Sequence, residues 1–585
     1  GRCMQRNAPY LATCLLGISF ATLSGCSSFS GSSTQPAPEP IATPAPEQTE
    51  IEYADFEPEV LYQLLSAEIA AQRGRYDVTL VNYIQAAKTS EDDGVIERAM
   101  RIAQTLNADN AQQQLADLWL EKSPENIQAH RVAAIQAVKR QNLKTALYHM
   151  EKIMDQGEDA DFDSLAAMAT QLPPAQQQEL LTLYLQLAER HPNTPDLEYG
   201  IALLMKVSGD PQSGLERLEP LISAHPNFQP AITLKGDLLY QTGQTKAALN
   251  HLTSNTRRFP DNRQMGTLYG RILINEKKLQ AAQDEFQRLV KRHPDTPGLK
   301  LSHALVALEN QQLDTARADL NALVEQGHHT NEARYYLGRI EEEAGNTELA
   351  INHYQSVESG NYYFPALSRA SELQAQAGEL NEALSHIQSL RANNPEQAEK
   401  FWLLEINLLI DQDQKASALT ATNRALEEHP DNVEARYARA MLHDAKGNPE
   451  QAEQDLKAIL DIEPASSITL NALGYILTER TDRLQEAQGY IERALALDPD
   501  NPAILDSMGW VLFKQGRTME ALEYLSEAWG AYSDPEVSAH YGEALWSIGE
   551  EEQARIIWEE GLDKDPDHEI LLETIERLTN EGNEE

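Results

Sequence analysis

Few side chains in this chain are placed to do chemistry, and the cysteines come first. There are three, Cys3, Cys14 and Cys26. A thiolate is the reactive form of cysteine. The thiol with a defined setting is Cys26, which closes the run Leu23-Ser24-Gly25-Cys26. Histidine offers one further candidate, the pair His328 and His329 with Glu332 close by. Two histidines and a carboxylate can ligate zinc, but a pair at a helix end is ordinarily solvated, so no metal is expected. The common catalytic patterns are missing. There is no H-E-x-x-H, no G-x-S-x-G elbow, no S-x-x-K pair and no Gly-Lys dipeptide of a phosphate loop. Carboxylate pairs abound, yet without a cleft they carry no acid–base role. The expectation is a protein that is not an enzyme and holds no resident cofactor.

The elements around these residues are helices with a fixed beat. Pro226, Pro260 and Pro294 recur, as do Pro395, Pro430, Pro464 and Pro499. Small residues keep the same interval at Gly236, Gly270, Ala304 and Gly338. A period of about 34 with this content resembles the tetratricopeptide repeat (TPR), a helix–turn–helix unit. Residues 228–261 show the grammar. Leu234, Leu238 and Leu239 form the first apolar stripe, Gly236 and Ala248 sit where two helices cross, Gly243 fits the turn and Pro260 ends the second helix. The pattern returns through Gly270 and Phe286, Gly338 and Tyr354, Gly474 and Ala487, Gly509 and Ala521, and Gly542 and Trp558.

No segment reads as strand-rich. The fold class expected is all-α, a TPR-type α-solenoid forming a right-handed superhelix of about fifteen hairpins. Residues 58–225 carry degenerate repeats, 226–566 clear ones, and 567–585 a capping helix with a polar tail. The repeats leave no room for a separate catalytic domain. Solenoids of this kind usually hold other proteins. In TPR proteins the first helices line a groove at repeat positions 2, 5, 9 and 12. That register selects Thr267, Arg271, Tyr335 and Arg339 in the middle repeats. Toward the C-terminus it selects Asn471, Tyr475, Thr478, Asp506, Trp510, Phe513, Glu543 and Trp546. Aromatic and arginine side chains are the usual interface anchors. The alternative for each aromatic is packing between helices, the role expected of Trp558.

The N-terminal stretch reads as an address. Counted from Met4, Arg6 precedes a short apolar run over residues 10–22, too short to span a bilayer comfortably. Leu23-Ser24-Gly25-Cys26 resembles a bacterial lipobox. The resemblance implies removal of residues 1–25 and covalent diacylglycerol and acyl lipid on Cys26. More than one acyl chain gives stable anchoring. Ser27 follows the cysteine, which by resemblance to the enterobacterial sorting rule implies the outer membrane facing the periplasm. Residues 26–57 are Ser-, Pro- and Glu-rich and read as a disordered tether spanning roughly 30 Å. With 48 basic and 91 acidic residues the net charge is −43, the opposite of a nucleic-acid footprint. Such a body is also repelled by anionic lipid, which leaves membrane attachment to the lipid anchor alone.

Lipobox, tether, LLSAEIAAQRGRYDVTL near the start and NALGYILTERTDRLQEA with DSMGWVLFKQG near the end together resemble one family, the LbcA-type TPR outer-membrane lipoproteins of pseudomonads and related proteobacteria. That resemblance implies an adaptor for the periplasmic carboxyl-terminal processing protease CtpA, with peptidoglycan hydrolases as its substrates. An assembly factor of the outer membrane, pilotin-like, would use the same scaffold and anchor.

Overall fold

The computed structural model describes residues 57–581. Among the described residues there are 31 α-helices and no strand, the number that fifteen hairpins and one terminal helix supply. Cys26, the signal-like stretch before it and the tether up to residue 56 lie outside the described residues. The helices form two compact units, divided between Glu158 and Asp159. Through most of each unit a helix packs on its successor and pairs stack in chain order, whereas Phe162–Met168 packs on Pro195–Val207 in place of its successor. This is the all-α, TPR-type solenoid expected.

The first unit is built from Pro58–Gln72 and Tyr76–Ser90, Asp93–Thr105 and Asp109–Lys122, and Ile127–Lys139 and Leu143–Asp155. Its core joins Val60, Ala67, Tyr83, Ile96, Leu115 and Trp119. Helix starts are fixed by side chains that satisfy orphan amides: Asp92 accepts from Val95 N, Asn126 from Ala129 N and Asn142 from Thr145 N.

In the second unit the proline beat sets helix length. Helices end at Ala224, Arg258, Arg292, Glu428, Ile462 and Leu497, two residues before Pro226, Pro260, Pro294, Pro430, Pro464 and Pro499. The residue between has left the helical region in each case, as at His225 (φ −128°, ψ 71°) and Asp498 (φ −143°, ψ 77°). Proline's ring clashes with a helical residue before it, so the backbone must leave the helix there. The small residues set the spacing within a hairpin. A methyl on Gly236 would stand 2.6 Å from Leu252, and one on Gly338 2.7 Å from Tyr354. The partner sits sixteen residues on because the second helix runs back past the first. Gly243 takes φ +79° in its turn, a conformation that favours glycine. The terminal helix Glu569–Glu581 packs on Pro535–Ser547 and buries Leu571.

Candidate protein-binding surface

Three successive first helices, Ser467–Arg480, Pro502–Lys514 and Pro535–Ser547, bring the C-terminal candidates together. Tyr475 Oη donates to Glu536 Oε1 at 2.5 Å, across 61 residues and over the intervening helix. A bond between hairpins two apart puts these side chains on the inner side of the bend. Beneath it His540 Nδ1 lies 2.9 Å from Asp506 Oδ2, and both residues are buried. The Trp510 ring stacks on His540 with centroids 4.0 Å apart and planes at 16°. Trp510 Nε1 donates to Glu479 Oε1, and Lys514 lies 4.8 Å above the indole.

The charges here hold one another. Burial alone would lower the His540 pKa, but Asp506, Glu536 and Glu479 outweigh it and hold it up at about 9. Burial pushes Asp506 up from its ordinary value, and burial pushes the Tyr475 phenol well above its own. At neutral pH His540 is an imidazolium, enclosed by carboxylates.

This corrects part of the expected groove. Trp510 is 4% exposed and Asp506 5%, so both are spent inside the stack. Thr478 is buried too, its hydroxyl donating to the Gly474 carbonyl. Alternation of core and groove positions fails here because the first helices bend tightly enough to bury both. Phe513 remains half-buried beside Trp510 with centroids 5.2 Å apart. Trp546 is half-buried between Trp558 and Arg555. Glu543 accepts from Arg577 at 2.6 Å, and Asn471 is half-buried with Oδ1 lacking a hydrogen-bond donor.

The middle candidates stand apart from that cluster. Arg271 reaches Asp237 at 3.7 Å, and Asp237 also takes Lys206 Nζ at 2.5 Å. Thr267 is half-buried. Tyr335 stacks on Tyr362 with centroids 4.6 Å apart, while Arg339 is exposed 5.8 Å over the Tyr336 ring.

Sequence reading missed Glu479, Glu536 and His540. The register selected Glu543 and Trp546 in the last of these hairpins and passed over the two residues facing inward. The signal was available: Asp506 and His540 are one period apart, and Glu479 and Trp510 nearly so. In the first unit it missed His130, whose Nδ1 is 2.9 Å from His149 Nδ1 and whose Nε2 is 2.8 Å from the Pro124 carbonyl. Burial, and then the neighbouring His130, lower the His149 pKa, against a smaller pull from Asp117. His328 and His329 cap no metal centre: among the described residues no group of three or more ligating side chains is gathered.

Comparison with known proteins fixes the family. The tetratricopeptide-repeat model matches residues 233–297, 301–362, 403–467, 437–502 and 507–569. A TPR repeat-containing protein of Pseudomonas aeruginosa is 39% identical over 547 residues, covering 92% of each chain. The chain belongs to the TPR proteins. Within that family, this TPR protein is also 36% identical over 84 residues to the type IV pilus assembly protein PilF of Pseudomonas aeruginosa, covering 14% of this chain and 32% of that one. Among solved structures it is similar to a tetratricopeptide repeat protein from Parabacteroides merdae, at 17% identity, 43% of this chain, 98% of that one and TM-score 0.35.

Proposed function

We propose that this TPR protein is a non-catalytic adaptor lipoprotein of the outer membrane. It holds a periplasmic carboxyl-terminal processing protease and presents peptidoglycan hydrolases to it for degradation. The observation that carries the scaffold part is the repeat architecture itself: stacked hairpins present long rows of side chains to a partner. The protease and hydrolase partners, and the site on the envelope, come from the sequence resemblance and from the lipobox at Cys26. The mechanism is effective concentration. Two partners held on one scaffold meet as if intramolecular, which raises the encounter rate by orders of magnitude without a new contact between them. Lipid on Cys26 confines that encounter to the membrane surface.

Deleting the gene and measuring wall-hydrolase levels by immunoblot tests this. Hydrolases that accumulate support the adaptor; unchanged levels of all of them refute it. A second reading, an outer-membrane assembly factor, is favoured by the local similarity to the pilus assembly protein. Its mark is loss of an assembled secretin or barrel with hydrolase levels unchanged.

A further inference from the structure

Residues 241–300 run against the charge of the chain. They hold eleven lysines and arginines and five carboxylates, whereas residues 301–585 hold twenty and fifty-five. Five of the cations gather where the second helix of one hairpin passes to the first helix of the next. Arg257 and Arg258 end the helix Thr245–Arg258, and Arg263 opens Arg263–Asn275. Lys291 lies in the last turn of Leu279–Arg292, and Lys300 is the fourth residue of Pro297–Glu309.

Polar bonds tie these turns into one edge. Arg258 Nη2 donates to Asn227 Oδ1 at 2.5 Å, Arg263 Nη1 to Thr296 Oγ1 at 3.1 Å, and Arg292 Nε to Asp261 Oδ1 at 2.6 Å. Each bond joins one inter-hairpin turn to the next. Among the described residues Arg292 has its carboxylate partner, whereas Arg257, Arg258, Arg263, Lys291 and Lys300 form no ion pair. Arg257, Arg258, Arg263 and Lys291 are exposed.

Helix dipoles account for cations in the C-terminal turns. They do not account for Arg263 and Lys300, which stand at N-terminal turns, where a cation opposes the dipole. Two equivalent turns carry acid, at Glu434 and Glu536, and others, such as that of Pro502–Lys514, carry no acid. Unpaired cations along one edge repel one another, and an arriving anion removes that repulsion.

We propose that this edge docks a carboxylate-rich segment of a partner protein. Resting on the scaffold reading above, it adds the chemistry of one thing the scaffold holds. The size of the basic edge selects the occupant. It spans three turns and is followed by strongly acidic repeats, so a long polyanion such as duplex DNA, or a charged bilayer, meets repulsion beyond it. A short acidic segment fits within it.

The test uses the full chain and a short fluorescent polyglutamate peptide, read by anisotropy. The triple variant Arg257→Glu, Arg263→Glu, Lys291→Glu is compared with a charge-matched control, Lys415→Glu, Lys446→Glu, Arg493→Glu. Binding is expected to weaken about tenfold or more in the edge variant, to stay within about twofold in the control, and to fade as salt rises. The glutamine triple at the same positions, with an unaltered melting curve, weakens it in the same direction. Equal binding by the edge variant and wild type overturns the proposal, as does equal loss in the control. Anionic vesicles or duplex DNA that bind the wild type and are lost with the edge variant overturn the assignment to protein. Polyglutamate that fails to bind while an envelope pull-down still recovers partners sinks this inference and leaves the scaffold standing. Polyglutamate held by the edge with no partner recovered does the reverse.

Discussion

Two histidines, His540 buried and His149 half-buried, give the two units opposite responses to pH. His540 has a folded pKa of about 9 against an ordinary 6.5. Its contribution is fully present below the unfolded value and is lost as pH rises through about 9. Thermal melts across pH should show a loss on the alkaline side that His540→Gln flattens, at a cost of several kcal/mol near neutrality because Asp506 is left buried without its partner. His149 works the other way. Its folded pKa is depressed by burial and by His130, so the unfolded chain binds more protons, and stability falls as pH drops through the unfolded value of 6.5 toward the folded one. Replacing His149 by Gln should remove that acid-side slope, read as proteolysis of the first unit. Neither histidine was legible as a site. A lone histidine in a helix carries no local pattern: the partner of His540 lies one repeat period away at Asp506, and that of His149 lies at His130 on the facing helix of the same hairpin.

At the scale of the helix pair, the sequence was most readable where steric limits are sharpest. Proline ended helices at a fixed offset, and the crossing glycines lie where a methyl has no space. Gly236→Ala should destabilise by about 1–3 kcal/mol through overpacking against Leu252. Gly489 sits inside Leu484–Leu497 with open space around it. Gly489→Ala should stabilise by about 0.5–1 kcal/mol, since alanine loses less backbone freedom in a helix. Denaturant titration of both variants checks the pair, and destabilisation by both would show that the crossing contact is not the cause. The groove was less readable because a position in the repeat fixes a face of the helix, not how tightly neighbouring hairpins bend. Tyr475 reaching Glu536 is that bend, and it takes Trp510 and Asp506 out of reach of solvent.

Over the whole molecule charge and repetition dominate. A net of −43 makes self-repulsion a general destabilising load, so raising salt from low to physiological strength should raise the melting temperature by several degrees. A melting temperature that falls with salt would mean that ion pairs such as Arg439–Asp455 outweigh the repulsion. The central claim is that the scaffold speeds proteolysis by holding two partners at once. The most direct measurement is degradation of a purified wall hydrolase by the carboxyl-terminal processing protease, with and without this protein. The account predicts a gain of tenfold or more that rises and then falls as scaffold exceeds both partners, since excess scaffold separates them onto different copies. A hydrolase degraded at the same rate with the scaffold absent would contradict it.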